Sequence, residues 1–175
     1  MASKMHLNHK PYFMKYLLLI CLFSFPALSQ AAGSLPAYSV KYDPARDAFA
    51  DGRAAIKLAT QTQRRVLIEV GGEWCTWCHI LDKFLNDNPD IKKQLHETFV
   101  LLKINVSEEN DNKEFLSAFP KPLGYPHMYV SEKNGNVLWS KDTADFINNG
   151  KYDRKNFIAF FKRWKIKPQT KVSQQ

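Results

Sequence analysis

The sequence predicts an α/β fold with a central mixed β-sheet of about four strands and helices on both faces. Two β-rich runs, at 65–70 and 99–106, are separated by helical segments, and strands joined through helices run parallel. An Asn134-Gly135 turn between two further apolar runs predicts an antiparallel hairpin, because both residues accept positive φ. The length of 175 residues fits one domain with a single hydrophobic core.

Each predicted element has a local signal in the sequence. Asp43 and Pro44 predict the start of the first helix, as N-cap and first helical residue. Gly71-Gly72 bounds the first strand. In chain order we expect a helix from Asp43 to Thr62, a strand at 65–70, helices at 75–86 and 89–97, a strand at 99–106, a helix at 112–119, strands at 127–130 and 137–140, and a helix at 153–165.

The N-terminus has the three-part pattern of a secretory signal peptide. Three lysines without an acidic residue precede an apolar run at 16–28, and the small-x-small site Ser29-Gln30-Ala31 follows. The run is too short to cross a bilayer of about 30 Å as a helix, so an uncleaved membrane anchor is the weaker alternative. We expect residues 1–31 to be removed after Ala31 and the chain to be exported. Met14 is an alternative initiator.

Removing this leader changes the charge of the chain. The full chain has a net charge of +8, whereas a chain from Ala32 keeps 22 basic and 17 acidic residues, a net charge of +5. We expect an irregular segment at 32–42, the folded domain at 43–166 and a flexible polar tail at 167–175. The basic residues of the last helix predict a solvated face, and no nucleic-acid partner is expected.

The leader also carries Cys21, so the exported chain would keep two cysteines, Cys75 and Cys78. Such a short loop gives little chain-entropy stabilisation, so reactivity explains the pair better than structural support. A cysteine at a helix N-terminus meets free N–H groups and the positive end of the helix dipole, which favour its thiolate. We therefore expect Cys75 to attack and Cys78, one turn further and less exposed, to resolve the mixed disulfide.

The segment Trp74-Cys75-Thr76-Trp77-Cys78-His79 follows a strand and begins a helix. With the preceding strand it resembles the active site of exported thioredoxin-like proteins, and the resemblance covers about residues 43–166. It implies a thioredoxin fold and thiol:disulfide exchange with cysteine-containing partner proteins. In that family a buried carboxylate on the active-site strand assists proton transfer at the resolving cysteine, and its position here is Glu69. An outward-facing Glu69 is the alternative, because alternation does not fix the face.

The family also places a cis-proline opposite the disulfide and immediately before a strand, which Tyr125-Pro126 matches; an ordinary trans proline is the alternative. The motif lacks the Gly-Pro dipeptide of reducing thioredoxins, so Trp77 either shields the disulfide or packs. His79 either modulates the thiolate of Cys75 when protonated or is a surface residue. The residues expected to contact substrate are Trp74, Thr76, Trp77, Tyr125 and Pro126.

Three other interpretations of the motif stay open. Cys75-x-x-Cys78-His79 also fits c-type haem attachment, with Met128, His96 or His127 as a second axial ligand. The same cysteines and histidines could bind zinc, although no second close pair completes a zinc pattern. A thioredoxin-fold interaction module without redox turnover is the third. We favour the oxidoreductase, with a weak preference for a reductase role, a monomeric mature form, no metal, no organic cofactor, and a membrane electron donor or oxidant as recycling partner.

Overall fold

The computed structural model describes residues 34–167. The predicted signal peptide at 1–31, with its cleavage site and Cys21, lies outside the described residues. So does the predicted tail at 167–175, apart from its first residue. Within the described part, no helix is both long enough and apolar enough to cross a membrane.

Residues 34–167 form five helices and six strands. The helices are α1 (Ala48–Thr62), α2 (Thr76–Asp87), α3 (Pro89–Thr98), α4 (Lys113–Leu116) and α5 (Arg154–Trp164), and the strands are β1 (Arg65–Gly71), β2 (Phe99–Asn105), β3 (His127–Ser131), β4 (Val137–Asp142), β5 (Ile147–Asn148) and β6 (Lys151–Tyr152). Two short 3-10 turns, at Ala37–Ser39 and Thr143–Phe146, complete the described chain.

The four long strands form one sheet in the order β2-β1-β3-β4. β1 and β2 run parallel, because α2 and α3 carry the chain back between them. β3 runs antiparallel to both β1 and β4. The β3–β4 hairpin turns at Gly135, whose φ of +93° suits glycine. The predicted mixed sheet of about four strands with helices on both faces is therefore confirmed.

Both faces of the sheet are covered, so its central strands are buried. The β1 side chains Val66, Ile68 and Val70 pack toward α1, in a core cluster that also contains Ala55 and Ala59. Leu67 points to the other face, where α2, α3 and α5 pack around a phenylalanine-rich cluster. Burying an aromatic side chain of this kind contributes about 2–3 kcal/mol before its entropy cost. A polar group on this sheet therefore needs a partner inside the protein.

The predicted start of α1 at Asp43 and Pro44 is wrong. Asp43 instead makes a tight turn, in which its Oδ1 atom accepts a hydrogen bond from the Ala45 N–H at 3.0 Å. α1 begins five residues later, capped by Asp47, whose Oδ1 atom accepts from Phe49 at 2.8 Å and from Ala50 at 3.0 Å. An Asp-Pro pair suits a turn as well as a helix start, and the capping carboxylate of Asp47 decides the boundary.

Two other segments differ from the prediction. The helix expected over 112–119 ends at Leu116, because Phe119 turns inward and packs its ring on Tyr129 at 5.1 Å between ring centroids. The segment between β4 and α5 has no element predicted from the sequence. It forms the 3-10 turn at Thr143–Phe146 and the β5–β6 hairpin, whose two-residue strands are too short to show a periodic pattern.

Candidate active site

The two cysteines lie where β1 leads through a tight turn into α2. The Cys75 N–H donates to the Gly72 carbonyl at 3.0 Å, and Cys75 is the N-cap residue of α2. Its Sγ atom accepts a hydrogen bond from the Cys78 N–H at 3.2 Å, so the sulfur lies at the positive end of the helix. Cys75 and Cys78 form a disulfide with a Cα–Cα distance of 5.2 Å. Both cysteines are buried.

Glu69 lies on β1, two residues before the strand ends, and is 0% exposed. The outward-facing alternative is therefore wrong. The Tyr42 hydroxyl donates a hydrogen bond to Glu69 Oε1, and Lys103 Nζ lies 3.5 Å from the same oxygen. Lys103 also donates to both carboxylate oxygens of Asp82, at 2.6 and 2.8 Å. Glu69 Oε2 has no hydrogen-bond partner among residues 34–167.

The charges of this cluster can be assigned from its contacts. Burial lowers the pKa of Lys103, but the carboxylates of Glu69 and Asp82 more than compensate, so its pKa lies above the ordinary value. Lys103 is therefore an ammonium ion at neutral pH. Burial, followed by the charge of Glu69, raises the pKa of Tyr42 well above its usual range. The phenol thus keeps its proton and can donate it.

Gly71 brings Tyr42 and Cys78 together. A Cβ atom at this position would lie 2.5 Å from Cys78 Sγ and 2.8 Å from the Tyr42 hydroxyl oxygen, distances that real Cβ atoms do not show. The sulfur of Cys78 and the phenol of Tyr42 therefore both lie over Gly71, and the phenol is hydrogen-bonded to the carboxylate of Glu69. Only glycine leaves room for this arrangement.

Sequence reasoning missed Tyr42, Lys103 and Asp82. Tyr42 belongs to the segment expected to be irregular, and the sequence did not reveal that this segment packs on the sheet: Ser39 Oγ donates to the Leu101 carbonyl at 2.5 Å. The Lys103 ammonium also lies over the Tyr42 ring, 4.7 Å from its centroid. A lysine inside an otherwise apolar strand was the one sequence signal, because it requires a partner carboxylate.

The residues expected to contact substrate surround the disulfide. The Tyr125–Pro126 peptide bond is cis, and Tyr125 packs against the two cysteines. Trp74 is 57% exposed, meets the Tyr125 ring edge-on at 5.4 Å and donates from Nε1 to the Val106 carbonyl at 2.5 Å. Trp77 is 40% exposed and its ring lies 5.9 Å from Tyr152, so it both packs and faces solvent. Thr76 is exposed.

The histidines of residues 34–167 lie on three different elements, α2, α3 and β3. The exposed His79 donates from Nε2 to the Glu73 carbonyl at 2.7 Å, which supports the turn before Cys75. His96 lies in α3, and burial, followed by the charge of Lys92, lowers its pKa to about 4. His127 is buried in β3 with its Nε2 atom 2.9 Å from Ser140 Oγ. Across residues 34–167, no three His, Cys, Asp or Glu side chains are placed to hold a metal ion.

A mixed sheet covered on both faces, a Cys-x-x-Cys disulfide at the start of α2 and a cis-proline before β3 define a thioredoxin-fold protein. The chain belongs to the Thioredox_DsbH family, described as a protein of unknown function, DUF255, which matches residues 41–169.

Two solved structures are similar to this fold. The crystal structure of a disulphide isomerase from Xylella fastidiosa Temecula1 is 27% identical with a TM-score of 0.59, over 74% of this chain and 95% of that one. The oxidised C-terminal domain of DsbD from Neisseria meningitidis is 15% identical with a TM-score of 0.53, over 68% of this chain and 97% of that one. At this identity the second match supports the fold alone.

One curated relative is the thiol:disulfide interchange protein DsbD of Colwellia psychrerythraea. It is 25% identical over 99 residues, which make up 55% of this chain and 16% of that protein. The chain spans no more than 17% of the length of the curated relatives that it matches.

Proposed function

We propose that the protein is an exported thiol:disulfide oxidoreductase that exchanges its Cys75–Cys78 pair with cysteines of partner proteins. The observation that carries the proposal is the position of this disulfide, at the N-terminus of α2 and with Cys78 Sγ packed over Gly71, two residues from the buried carboxylate of Glu69 on β1. The names of the relatives, a thiol:disulfide interchange protein and a disulphide isomerase, support the same activity.

Two exchange steps complete one reducing turnover. The Cys75 thiolate attacks a disulfide of the partner, whose first sulfur leaves as a thiolate and takes up a proton. Cys78 then loses its proton and attacks the Cys75 sulfur in the mixed disulfide. This releases the second partner sulfur as a thiolate, which is also protonated. Two electrons pass to the partner, and the Cys75–Cys78 disulfide forms.

Glu69 is proposed as the acid/base group for the second step. Cys78 must lose a proton in a buried site, where water is a poor acceptor. The Tyr42 phenol lies beside the sulfur and is hydrogen-bonded to Glu69. It accepts the Cys78 proton while it passes its own proton to Glu69 Oε1. Lys103 stays charged beside the carboxylate throughout.

Partner proteins are proposed to bind at the rim formed by Trp74, Thr76, Trp77, Tyr125 and Pro126. An extended partner segment pairs with the backbone beside Pro126, as strands do at a free sheet edge. His79 modulates the reactivity of Cys75 through its charge and through its bond to the Glu73 carbonyl.

We further propose that the protein acts as a monomer outside the cytoplasm, in the periplasm if the source is a Gram-negative bacterium. The leader sequence supports export. The Trp74-Cys75 arrangement above Glu69 favours the reductase direction. A reductant in an oxidising compartment must be recharged, so a membrane electron donor is its recycling partner; an oxidant would need an oxidising partner instead.

The cysteine roles are tested with two serine variants of the chain from Ala32. Cys75→Ser should abolish both insulin reduction and the formation of mixed disulfides. Cys78→Ser should abolish turnover but accumulate the mixed disulfide, because Cys75 still attacks. If Cys75→Ser reduces insulin as fast as wild type, the proposal is wrong.

The direction is tested by equilibrating the Cys75–Cys78 pair with glutathione. A reduction potential of about −270 mV supports the reductase role, whereas about −120 mV supports an oxidant.

A further inference from the structure

A pocket of about 270 Å³ opens beside the disulfide. It is continuous with the proposed rim, because Trp77 belongs to the cysteine motif and Tyr125 precedes the cis-proline. Three aromatic rings and one carboxylate dominate its lining: Trp77, Tyr125, Tyr152 and Asp142. We call it the Asp142 pocket.

The carboxylate of Asp142 is uncompensated. Its Oδ1 atom caps the following 3-10 turn by accepting from the Ala144 N–H at 2.8 Å. Its Oδ2 atom lies against Gly124, where an added Cβ atom would be 2.6 Å away. The neighbouring Lys141 pairs with Asp145 instead. No Lys or Arg within residues 34–167 forms an ion pair with Asp142.

The group that faces Asp142 across the sheet does not neutralise it. His127 is its register partner on β3. Burial lowers the pKa of His127, an effect that the charge of Asp142 only partly offsets, so the imidazole is neutral at pH 7. The pocket therefore presents an unbalanced negative charge among aromatic rings.

The two loops next to the disulfide also carry negative charge, as Asp142 does. The loops after β1 and β2 lie at the end of the sheet that carries the disulfide, and their exposed acidic residues are Glu73, Glu108, Glu109 and Asp111. Lys113, the first residue of α4, and Lys121 are exposed basic residues further along the chain. The two loops themselves are thus acidic, although a chain from Ala32 has an excess of basic residues.

We infer that the Asp142 pocket binds an arginine or lysine side chain that lies close to the reactive cysteine of the partner protein. A cation is attracted to aromatic ring faces and pairs with a carboxylate, and the pocket offers both. An apolar side chain would instead cover the carboxylate without giving it a partner, which costs free energy. The inference rests on the proposed function and defines its substrate class as cysteines in basic segments.

The test uses peptides joined through their single cysteine to glutathione. The peptides carry arginine, glutamine, leucine or glutamate, in turn, at each of the three positions on either side of the cysteine. Reduced wild-type protein should react about tenfold faster with the best arginine peptide than with its glutamine counterpart, the size expected of a partly desolvated cation contact. In Asp142→Asn the ratio should fall close to one. The amide oxygen keeps the cap to Ala144, and circular dichroism checks the fold.

Glu109→Gln is the matched control, because it removes one negative charge from an exposed position at the same end of the sheet. It should keep the arginine preference, and 0.5 M salt should reduce that preference only in part, since long-range attraction is screened. Equal rates for arginine and glutamine peptides, or a preference for leucine, would overturn the inference and leave the oxidoreductase proposal standing. Failure of wild type to exchange any of the peptides would overturn both.

Discussion

At the residue scale, the proposed proton path from Cys78 to Glu69 runs through Tyr42. Tyr42→Phe removes the hydroxyl that bonds Glu69 and shares the space over Gly71 with Cys78 Sγ, while it keeps the ring. We expect the second exchange step to slow about a hundredfold at pH 7, at the lower edge of the range for general acid/base catalysis. Stopped-flow decay of a mixed disulfide on Cys75 measures this step. The rate should recover as the pH rises, because hydroxide then removes the Cys78 proton.

Tyr38→Phe is the control for this variant. Tyr38 is also a buried tyrosine of the N-terminal segment, but it packs in the α1-side core cluster, away from the cysteines. Its loss of a hydroxyl should leave the exchange rate unchanged. Equal slowing in both variants would show that loosening of the segment, and not proton transfer, causes the effect.

The buried ion pair of Lys103 and Glu69 gives a stability prediction. Lys103→Met should lower the free energy of unfolding by about 3 kcal/mol, because it leaves the fully buried Glu69 without its cation. The double variant Glu69→Gln with Lys103→Met should recover most of this loss, since neither charge is then buried alone. Urea unfolding of the oxidised protein measures both. A double variant as unstable as Lys103→Met would contradict the pairing.

At the element scale, the start of α1 can be tested with two alanine variants. Asp47→Ala removes a carboxylate that accepts two backbone hydrogen bonds and should cost about 1 kcal/mol of stability. Asp43→Ala loses one bond in an exposed turn and an ion pair with Lys41 at 3.7 Å, and should cost only a few tenths of a kcal/mol. Thermal or urea unfolding distinguishes the two. The reverse order would favour a helix that begins at Asp43.

The elements found from the sequence are those with strong local patterns. The strands at 65–70 and 99–106 and the Asn134-Gly135 hairpin were predicted to within two residues, because apolar runs and positive-φ turn residues are local properties. The start of α1 was missed because two capping aspartates compete there. The β5–β6 hairpin was missed because two-residue strands leave no period to detect.

The residues of the candidate site also fall into those that the sequence reveals and those that only the structure reveals. Cys75 and Cys78 follow from the spacing of one continuous segment, and the position of Glu69 follows from the resemblance of that segment to the active site of thioredoxin-like proteins. Tyr42 and Lys103 reach the site only through packing, from 27 residues before Glu69 and from the neighbouring strand. Sequence order does not reveal such contacts, although an isolated lysine inside an apolar strand indicates that a buried partner exists.

At the scale of the whole molecule, acidic and basic surface residues lie in different parts of the fold. The disulfide, the Asp142 pocket and the acidic loops lie at one end of the strands, while the exposed basic residues Lys162, Arg163 and Lys165 lie on the C-terminal helix or directly after it. The position of the basic charge agrees with a solvated helix face. This distribution of charge supports the proposed binding of a basic partner segment beside the acidic loops.

The stability of the whole domain should fall in mild acid, in part because of His96. The folded state holds the pKa of His96 at about 4, through burial first and the neighbouring Lys92 second, whereas its ordinary value is 6.5. Below about pH 6.5, His96 binds a proton in the unfolded chain, whereas in the folded protein it stays neutral until the pH falls to about 4. The stability contributed by the neutral imidazole is therefore complete above pH 6.5 and lost as the pH falls to about 4.

We expect His96 to account for about 1–2 kcal/mol of this loss, less than the full shift implies because the side chain is partly exposed to solvent. His96→Gln cannot take up the proton, so its free energy of unfolding should fall less between pH 7 and pH 4 than that of wild type. Urea unfolding at intervals of half a pH unit measures the difference. Parallel curves for His96→Gln and wild type would show that His96 does not contribute to the acid loss.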